Sequence, residues 1–324
     1  MILDIIYIVA GMVFILVGAN LLTDGASALA RRFGISDLVV GLTVVAFGTS
    51  TPELVISVLS AANGSAGLAI GNVVGSNIFN ILAIIGITAI VTPVVISRTV
   101  MTREIPMVVI SSAVLLILGN TGLLNGTGGA VLTRTDGLLL LTFFGIFMWY
   151  MFATAKQSDA NDPAASNAAG QKMMPLWKSI VWIAGGLAML VAGGDRFVAG
   201  ASGVAAMIGI SDAVIGLTIA AAGSSLPELA TSIVAARKGQ TALAVGNVIG
   251  SNIFNIFLVL GVSAAVCPVP FGTIGNVDLL TLAGASILFL TFGWLIGKRT
   301  ITRGEGILMA LCYAAYITYL VINA

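Results

Sequence analysis

The chain contains a copy of its own first part. Shifting it by 175 residues lays Gly18–Val94 over Gly193–Val269 without a gap. Gly34-Ile35-Ser36-Asp37 recurs as Gly209-Ile210-Ser211-Asp212, and GNVVGSNIFN from Gly71 to Asn80 recurs as GNVIGSNIFN from Gly246 to Asn255. A repeat of this length decides the architecture before local propensity does. Each copy must fold into the same unit, and the units must then pack together.

Hydropathy says what the unit is made of. The chain is 58% hydrophobic and 8% charged, against about a quarter charged in a soluble domain. Stretches of about 20 apolar residues cross a bilayer core. Ten are expected, at roughly 3–23, 39–62, 68–93, 105–124, 137–155, 176–198, 214–235, 243–266, 279–297 and 305–323. The expected fold class is an all-α integral membrane protein with ten transmembrane helices. The first stretch starts at Ile2 with no basic segment before it, and the repeat needs it, so it is expected to remain as a helix rather than be cleaved as a signal. Residues 1–155 hold spans 1–5, residues 156–175 form a polar linker, and residues 176–324 hold spans 6–10. Five is odd, so the second copy enters the membrane in the opposite sense. In transporters built as two inverted repeats, sites lie near the midplane at the repeat interface, on interrupted helices.

Charge gives the orientation. Arg31, Arg32, Arg98, Arg103, Lys156, Lys172, Lys178, Arg237, Lys238, Lys298, Arg299 and Arg303 all fall in or beside the connections after odd spans, and Arg134 and Arg196 fall on the other side. The excess of basic residues marks the cytoplasmic face, which puts both termini outside and the linker inside. A net charge of +1 gives no case for a nucleic-acid partner. Cys267 and Cys312 form no metal-type cluster and are read as packing residues.

Of thirteen acidic residues, Glu53 and Glu228 are the two expected deep in spans, within GTSTPE (Gly48–Glu53) and GSSLPE (Gly223–Glu228). No Lys or Arg lies in an expected membrane core, so a salt bridge does not explain them. Protonated glutamic acids joining helices, or a cation site, remain. A charged carboxylate at mid-bilayer costs about 2.5–3.5 kcal/mol. Two carboxylates about 5 Å apart add ~3 kcal/mol of repulsion at an effective dielectric near 20. A bound cation relieves both terms. Thr49 and Ser50 can share a helix face with Glu53, as can Ser224 and Ser225 with Glu228. Pro52 and Pro227 each deprive the carbonyl four residues back of a helical partner, and the carbonyls of Ala46 and Ala221 lie one turn from the hydroxyls. Carboxylate, hydroxyl and carbonyl oxygens suit hard cations such as Ca²⁺. Back-bonding to the helix is the ordinary use of Ser and Thr in such places, but the doubled pattern beside a glutamate favours ligation. The chain has no histidine, and soft ligands are absent from the set.

A second wall comes from spans 3 and 8. Asn72, Ser76 and Asn80 form a stripe at i, i+4, i+8, and Asn247, Ser251 and Asn255 repeat it. Gly71/Gly75 and Gly246/Gly250 read GxxxG, which allows close helix contact. Ser76, Asn80, Ser251 and Asn255 are ligand candidates. Asn72, Asn77, Asn247 and Asn252 serve either as ligands or as joints between helices.

On these motifs the chain resembles prokaryotic sodium/calcium exchangers of the calcium:cation antiporter superfamily. The likeness is strongest over Gly41–Val94 and Gly216–Val269, where each GxSxPE-type motif is followed by GNxxGSNxFN. The resemblance implies a cluster of cation sites with ligands at Ala46 (carbonyl), Thr49, Ser50, Glu53, Ser76 and Asn80, and at Ala221 (carbonyl), Ser224, Ser225, Glu228, Ser251 and Asn255. It implies Na⁺ and Ca²⁺ as transported ions, no prosthetic group, a place in the cell inner (cytoplasmic) membrane, and spans 1 and 6 moving across an eight-helix core. Many relatives carry aspartate at one of the positions of Asn80 and Asn255. Here both are Asn, which argues against potassium co-transport.

The leading expectation is an electrogenic antiporter in which Na⁺ entry drives Ca²⁺ extrusion. The alternative is a proton/calcium antiporter using the same glutamates. A passive channel would need acidic rings along a wet pore. A scaffold leaves the two glutamates unexplained. An enzyme lacks any nucleophile–base pair or cofactor motif.

Overall fold

The computed structural model describes residues 2–63, 66–126, 129–155, 174–208, 221–296 and 299–323. The linker from Lys156 through residue 173, the Gly209–Asp212 copy, the first part of span 7 (214–220) and Lys298 lie outside the described residues.

Among the described residues the chain is an all-helical membrane protein. Eight helices are each long and apolar enough to span a bilayer: α1 (Ile2–Phe33), α4 (Gly67–Val91), α5 (Val100–Gly119), α6 (Arg134–Thr154), α7 (Leu176–Met207), α9 (Thr241–Val266), α10 (Asn276–Trp294) and α11 (Arg303–Ile322). The bent pair α2 (Asp37–Thr49) and α3 (Thr51–Ala62), which turns by 46°, makes a ninth candidate span when taken together. The described part of expected span 7 is the turn Ala221–Gly223 followed by α8 (Leu226–Arg237).

α1 and α7 run well past their expected ends at 23 and 198. Each has 32 residues, which at 1.5 Å per residue is about 48 Å and exceeds a ~30 Å hydrocarbon core, so both either tilt or extend beyond it. They pack antiparallel along a seam of glycines spaced by seven. A Cβ on Gly11 would fall 2.7 Å from the Gly193 carbonyl oxygen, one on Gly18 2.7 Å from that of Gly186, and one on Gly25 3.0 Å from that of Ser179. Backbone meets backbone, which only glycine permits. This pair touches the rest of the molecule more sparingly than it touches itself. α4 and α9 are the most enclosed helices and form the centre.

Two small antiparallel bridges tie distant connections. β1 (Val94–Val95) pairs with β4 (Thr300–Ile301), and β2 (Val131–Leu132) pairs with β3 (Val269–Pro270). The span ends also carry buried acids that read as ordinary loop-edge residues in the sequence. Glu104 accepts a 2.7 Å hydrogen bond from the Tyr150 hydroxyl, and Asp278 accepts one of 2.8 Å from Tyr316.

Candidate functional site

The helix interruption falls at the residue two before each proline. Ser50 (φ −84°, ψ 7°) and Ser225 (φ −94°, ψ 8°) leave helical geometry, and a new helix starts after each. Pro52 and Pro227 lie in the first turn of these new helices, where the missing amide hydrogen has no partner to lose. Glu53 and Glu228 therefore also fall in a first turn, at the positive end of a helix dipole. That placement offsets part of the charge cost, by about 0.3–2 kcal/mol each.

The two carboxylates are completely buried, and each is held by a hydroxyl from the other copy. The Ser225 hydroxyl donates to Glu53 Oε1 at 3.1 Å, and the Ser50 hydroxyl donates to Glu228 Oε1 at 3.1 Å. Ser76 adds a longer bond to Glu53 Oε1 at 3.4 Å. The serines thus do not serve the glutamate of their own motif but cross over, welding the two motifs into one site.

What is left over beside Asn80 Nδ2 is oxygen. Glu53 Oε2, Glu228 Oε2, Asn80 Oδ1, Asn255 Oδ1, Ser251 Oγ and Ser224 Oγ are buried and have no hydrogen-bond partner among the described residues. Each such group costs on the order of 1–3 kcal/mol if nothing else engages it. The crossed serines bring the two glutamates together, so their free oxygens offer hard donors at one place. No cluster of three or more His, Cys, Asp or Glu exists among the described residues. A cation here would be met by two carboxylates and neutral oxygens.

The remaining expected positions are less uniform. Thr49 is buried, and its hydroxyl lies 3.1 Å from both Asn247 Oδ1 and the Val45 carbonyl. The Ala46 carbonyl accepts the Ser50 amide at 2.9 Å, whereas in the second copy the Ser225 amide goes to the Ala222 carbonyl at 3.2 Å rather than to Ala221.

Of the four asparagines left undecided by the sequence, Asn72, Asn77 and Asn247 are joints in this structure. Asn72 Nδ2 donates to Ser57 Oγ at 3.1 Å, and Asn247 Nδ2 donates to Ser232 Oγ at 3.1 Å and the Glu228 carbonyl at 3.3 Å, so each braces a glutamate helix. Asn77 Nδ2 donates to the Asn252 carbonyl at 3.3 Å, and its Oδ1 accepts from Asn255 Nδ2 at 3.1 Å. Asn252 donates to its own helix, at the Val248 carbonyl.

Sequence reasoning missed the widened turns beside the site. α4 and α9 pass into π-helix at Phe79–Ile84 and Phe254–Val259, where Ile85 and Leu260 amides reach back five residues to Asn80 and Asn255 carbonyls. Such turns push a residue out of the normal helical ladder and recur at functional positions. The signal available was the equivalence of the two segments under the repeat.

An ion pair ties α1 to the end of α8. Lys238 Nζ lies 2.8 Å from Asp24 Oδ1 on α1 and bonds the Asn20 carbonyl at 3.4 Å.

Comparison with known proteins identifies the family. The family described as sodium/calcium exchanger protein matches residues 3–153 and 178–322. A putative antiporter, CaxA, from Alkalimonas amylolytica is 37% identical over 98% of both chains. The sodium/calcium exchanger MaX1 from Methanosarcina acetivorans is 30% identical over 98% of both. The inner membrane protein YrbG from Escherichia coli is 32% identical over 99% of this chain and 97% of its own. The solved structure of the sodium-calcium exchanger NCX_Mj soaked with Na⁺ and Ca²⁺ superposes with a TM-score of 0.82 at 31% identity, covering 98% of each chain. The chain belongs to the sodium/calcium exchanger family, a family of multi-pass membrane transporters rather than enzymes.

Proposed function

We propose that this chain is a secondary-active antiporter that exchanges Na⁺ entry for Ca²⁺ extrusion at one site built from both copies. The observation that carries the reading is the crossed pairing of Ser50 with Glu228 and Ser225 with Glu53, which leaves one oxygen of each glutamate unpartnered. The ligands in this reading are Thr49, Ser50, Glu53, Ser76, Asn80 and the Ala46 carbonyl, with Ser224, Ser225, Glu228, Ser251, Asn255 and the Ala221 carbonyl. Two carboxylates balance one Ca²⁺, and several Na⁺ compete for the same oxygens. A site holding Ca²⁺ is neutral and can be enclosed, while an empty one repels itself across an apolar barrier. Exchange is then obligatory.

The architecture in this reading is ten spans as two inverted five-helix repeats, 1–155 and 176–324, joined by a cytoplasmic linker at 156–175, with both termini outside the cytoplasmic membrane. Two observations support it. β1–β4 joins connections that follow spans 3 and 9, and β2–β3 joins connections that follow spans 4 and 8, so each bridge stays on one face. The antiparallel seam of α1 and α7 is what equivalent first helices of inverted copies require. The names of MaX1 and NCX_Mj support Na⁺ as the coupling ion.

The test is Ca²⁺ uptake into proteoliposomes loaded with Na⁺. Uptake should follow the outward Na⁺ gradient. Uptake indifferent to Na⁺ but driven by a pH gradient would replace Na⁺ with H⁺.

A further inference from the structure

The repeat is broken beside the candidate site. A cavity of about 310 Å³ lies between α3, α7 and the Gly223–Pro227 turn. Its wall includes Pro52, Pro227, Ser224 and Asp195. Ser224 carries one of the unpartnered hydroxyls, so the cavity reaches the candidate ligand set. Asp195 is the charged residue among the described residues lining it, and it is exposed. The neighbouring cation, Arg196, is turned away, with its guanidinium 5.3 Å from the centre of the Tyr7 ring.

Shifting by 175 residues gives the corresponding positions in the other copy. Asp195 becomes Asn20, Val198 becomes Thr23, Ser224 becomes Thr49 and Pro227 becomes Pro52. There the chemistry is opposite. Thr23 and Thr49 are fully buried. Asn20 Nδ2 is spent on the Leu16 carbonyl, and the Asn20 carbonyl together with Asp24 holds the ammonium of Lys238. One side therefore presents a carboxylate with no partner among the described residues, and the other presents a lysine already paired with Asp24.

We propose that Asp195 is a capture residue for cations on the face where this cavity lies, a peripheral docking point that loads the central site through Ser224. The inference rests on the proposed cation site. A carboxylate in the wall of a cleft with apolar sides raises the local cation concentration and the rate of arrival. It acts on arrival and not on the occupied site, so it sets half-saturation and leaves the maximal rate alone. Its effect is confined to one face.

The experiment is Ca²⁺ flux in proteoliposomes of known protein orientation, with Ca²⁺ varied on one face at a time, for wild type, Asp195→Asn, Asp195→Lys and Asp195→Glu. On the cavity face the half-saturating Ca²⁺ concentration should rise by about 3- to 10-fold in Asp195→Asn and further in Asp195→Lys, and return toward wild type in Asp195→Glu. The rise should shrink at high ionic strength, and the opposite face should not change. Because Asp195 is exposed, its removal leaves no hole, and the Glu variant checks folding independently. Unchanged half-saturation in both Asn and Lys variants, with wild-type exchange intact, would overturn capture alone. A shift equal on both faces would overturn it as well. Absence of Na⁺-driven Ca²⁺ flux in the wild type would instead overturn the proposed function, and this inference with it.

Discussion

Two neighbouring glycines on α7 offer a sharp test of the packing. Gly186 lies on the seam with α1, and a Cβ there would sit 2.7 Å from the Leu22 amide nitrogen and 2.8 Å from the Gly18 carbonyl oxygen. Both contacts are backbone, so neither can swing aside, and one helix must move by about half an ångström or more. Overpacking of this kind costs about 1–3 kcal/mol. Gly185, one residue earlier, has nothing within 4 Å of its added Cβ. Alanine at either position gains the same intrinsic helix propensity, about 1 kcal/mol, so that gain cancels between them. Gly185→Ala should be neutral or stabilising, and Gly186→Ala should lie about 1–3 kcal/mol below it. Thermal unfolding of the purified proteins, followed by tryptophan fluorescence, gives the order directly. If Gly185→Ala lowers the transition as much as Gly186→Ala, the seam is not where the structure puts it.

The other predictions concern the ions. Glu53→Gln and Glu228→Gln should each abolish exchange while leaving a folded protein, with Ca²⁺ affinity reduced by about 100-fold or more, as expected when a buried charge loses its partner at ~3–5 kcal/mol; wild-type rates in either would make the carboxylates structural. Ser50→Ala and Ser225→Ala should each weaken Ca²⁺ binding by about 10-fold, the scale of one hydrogen bond to a charged group. Ser286→Ala, whose hydroxyl pairs with Ser112 at 2.8 Å, should leave Ca²⁺ binding unchanged. With Asn at both 80 and 255, exchange should need no K⁺, and strict K⁺ dependence in the flux assay would contradict the reading of those asparagines.

Much of this molecule is legible in the sequence, for physical reasons that differ by feature. Spans follow from the cost of burying backbone and charge in lipid, which is why nearly every expected segment coincides with a helix. The helix interruptions follow from Pro52 and Pro227, and the structure makes each a fresh helix start, which places Glu53 and Glu228 at positive helix ends. The crossed serine–glutamate pairing could not be read, since it depends on how two distant motifs meet. The glycine seam could have been, as Gly11, Gly18 and Gly25 on α1 and Gly186, Gly193 and Gly200 on α7 keep a spacing of seven. Glu104 and Asp278 looked like loop-edge acids because nothing local marks Tyr150 and Tyr316 as their partners. The two-residue bridges are too short to leave a pattern.

The central claim is that two distant glutamates make one site, and equilibrium binding of radioactive Ca²⁺ to the purified protein tests it most directly. Wild type should bind Ca²⁺ in a single class, displaced by Na⁺ along a sigmoidal curve, and either Glu53→Gln or Glu228→Gln alone should remove that class entirely. Retention of about half the bound Ca²⁺ in each single variant, or indifference to Na⁺, would mean that the two copies bind separately and that the crossed geometry is not the transport site.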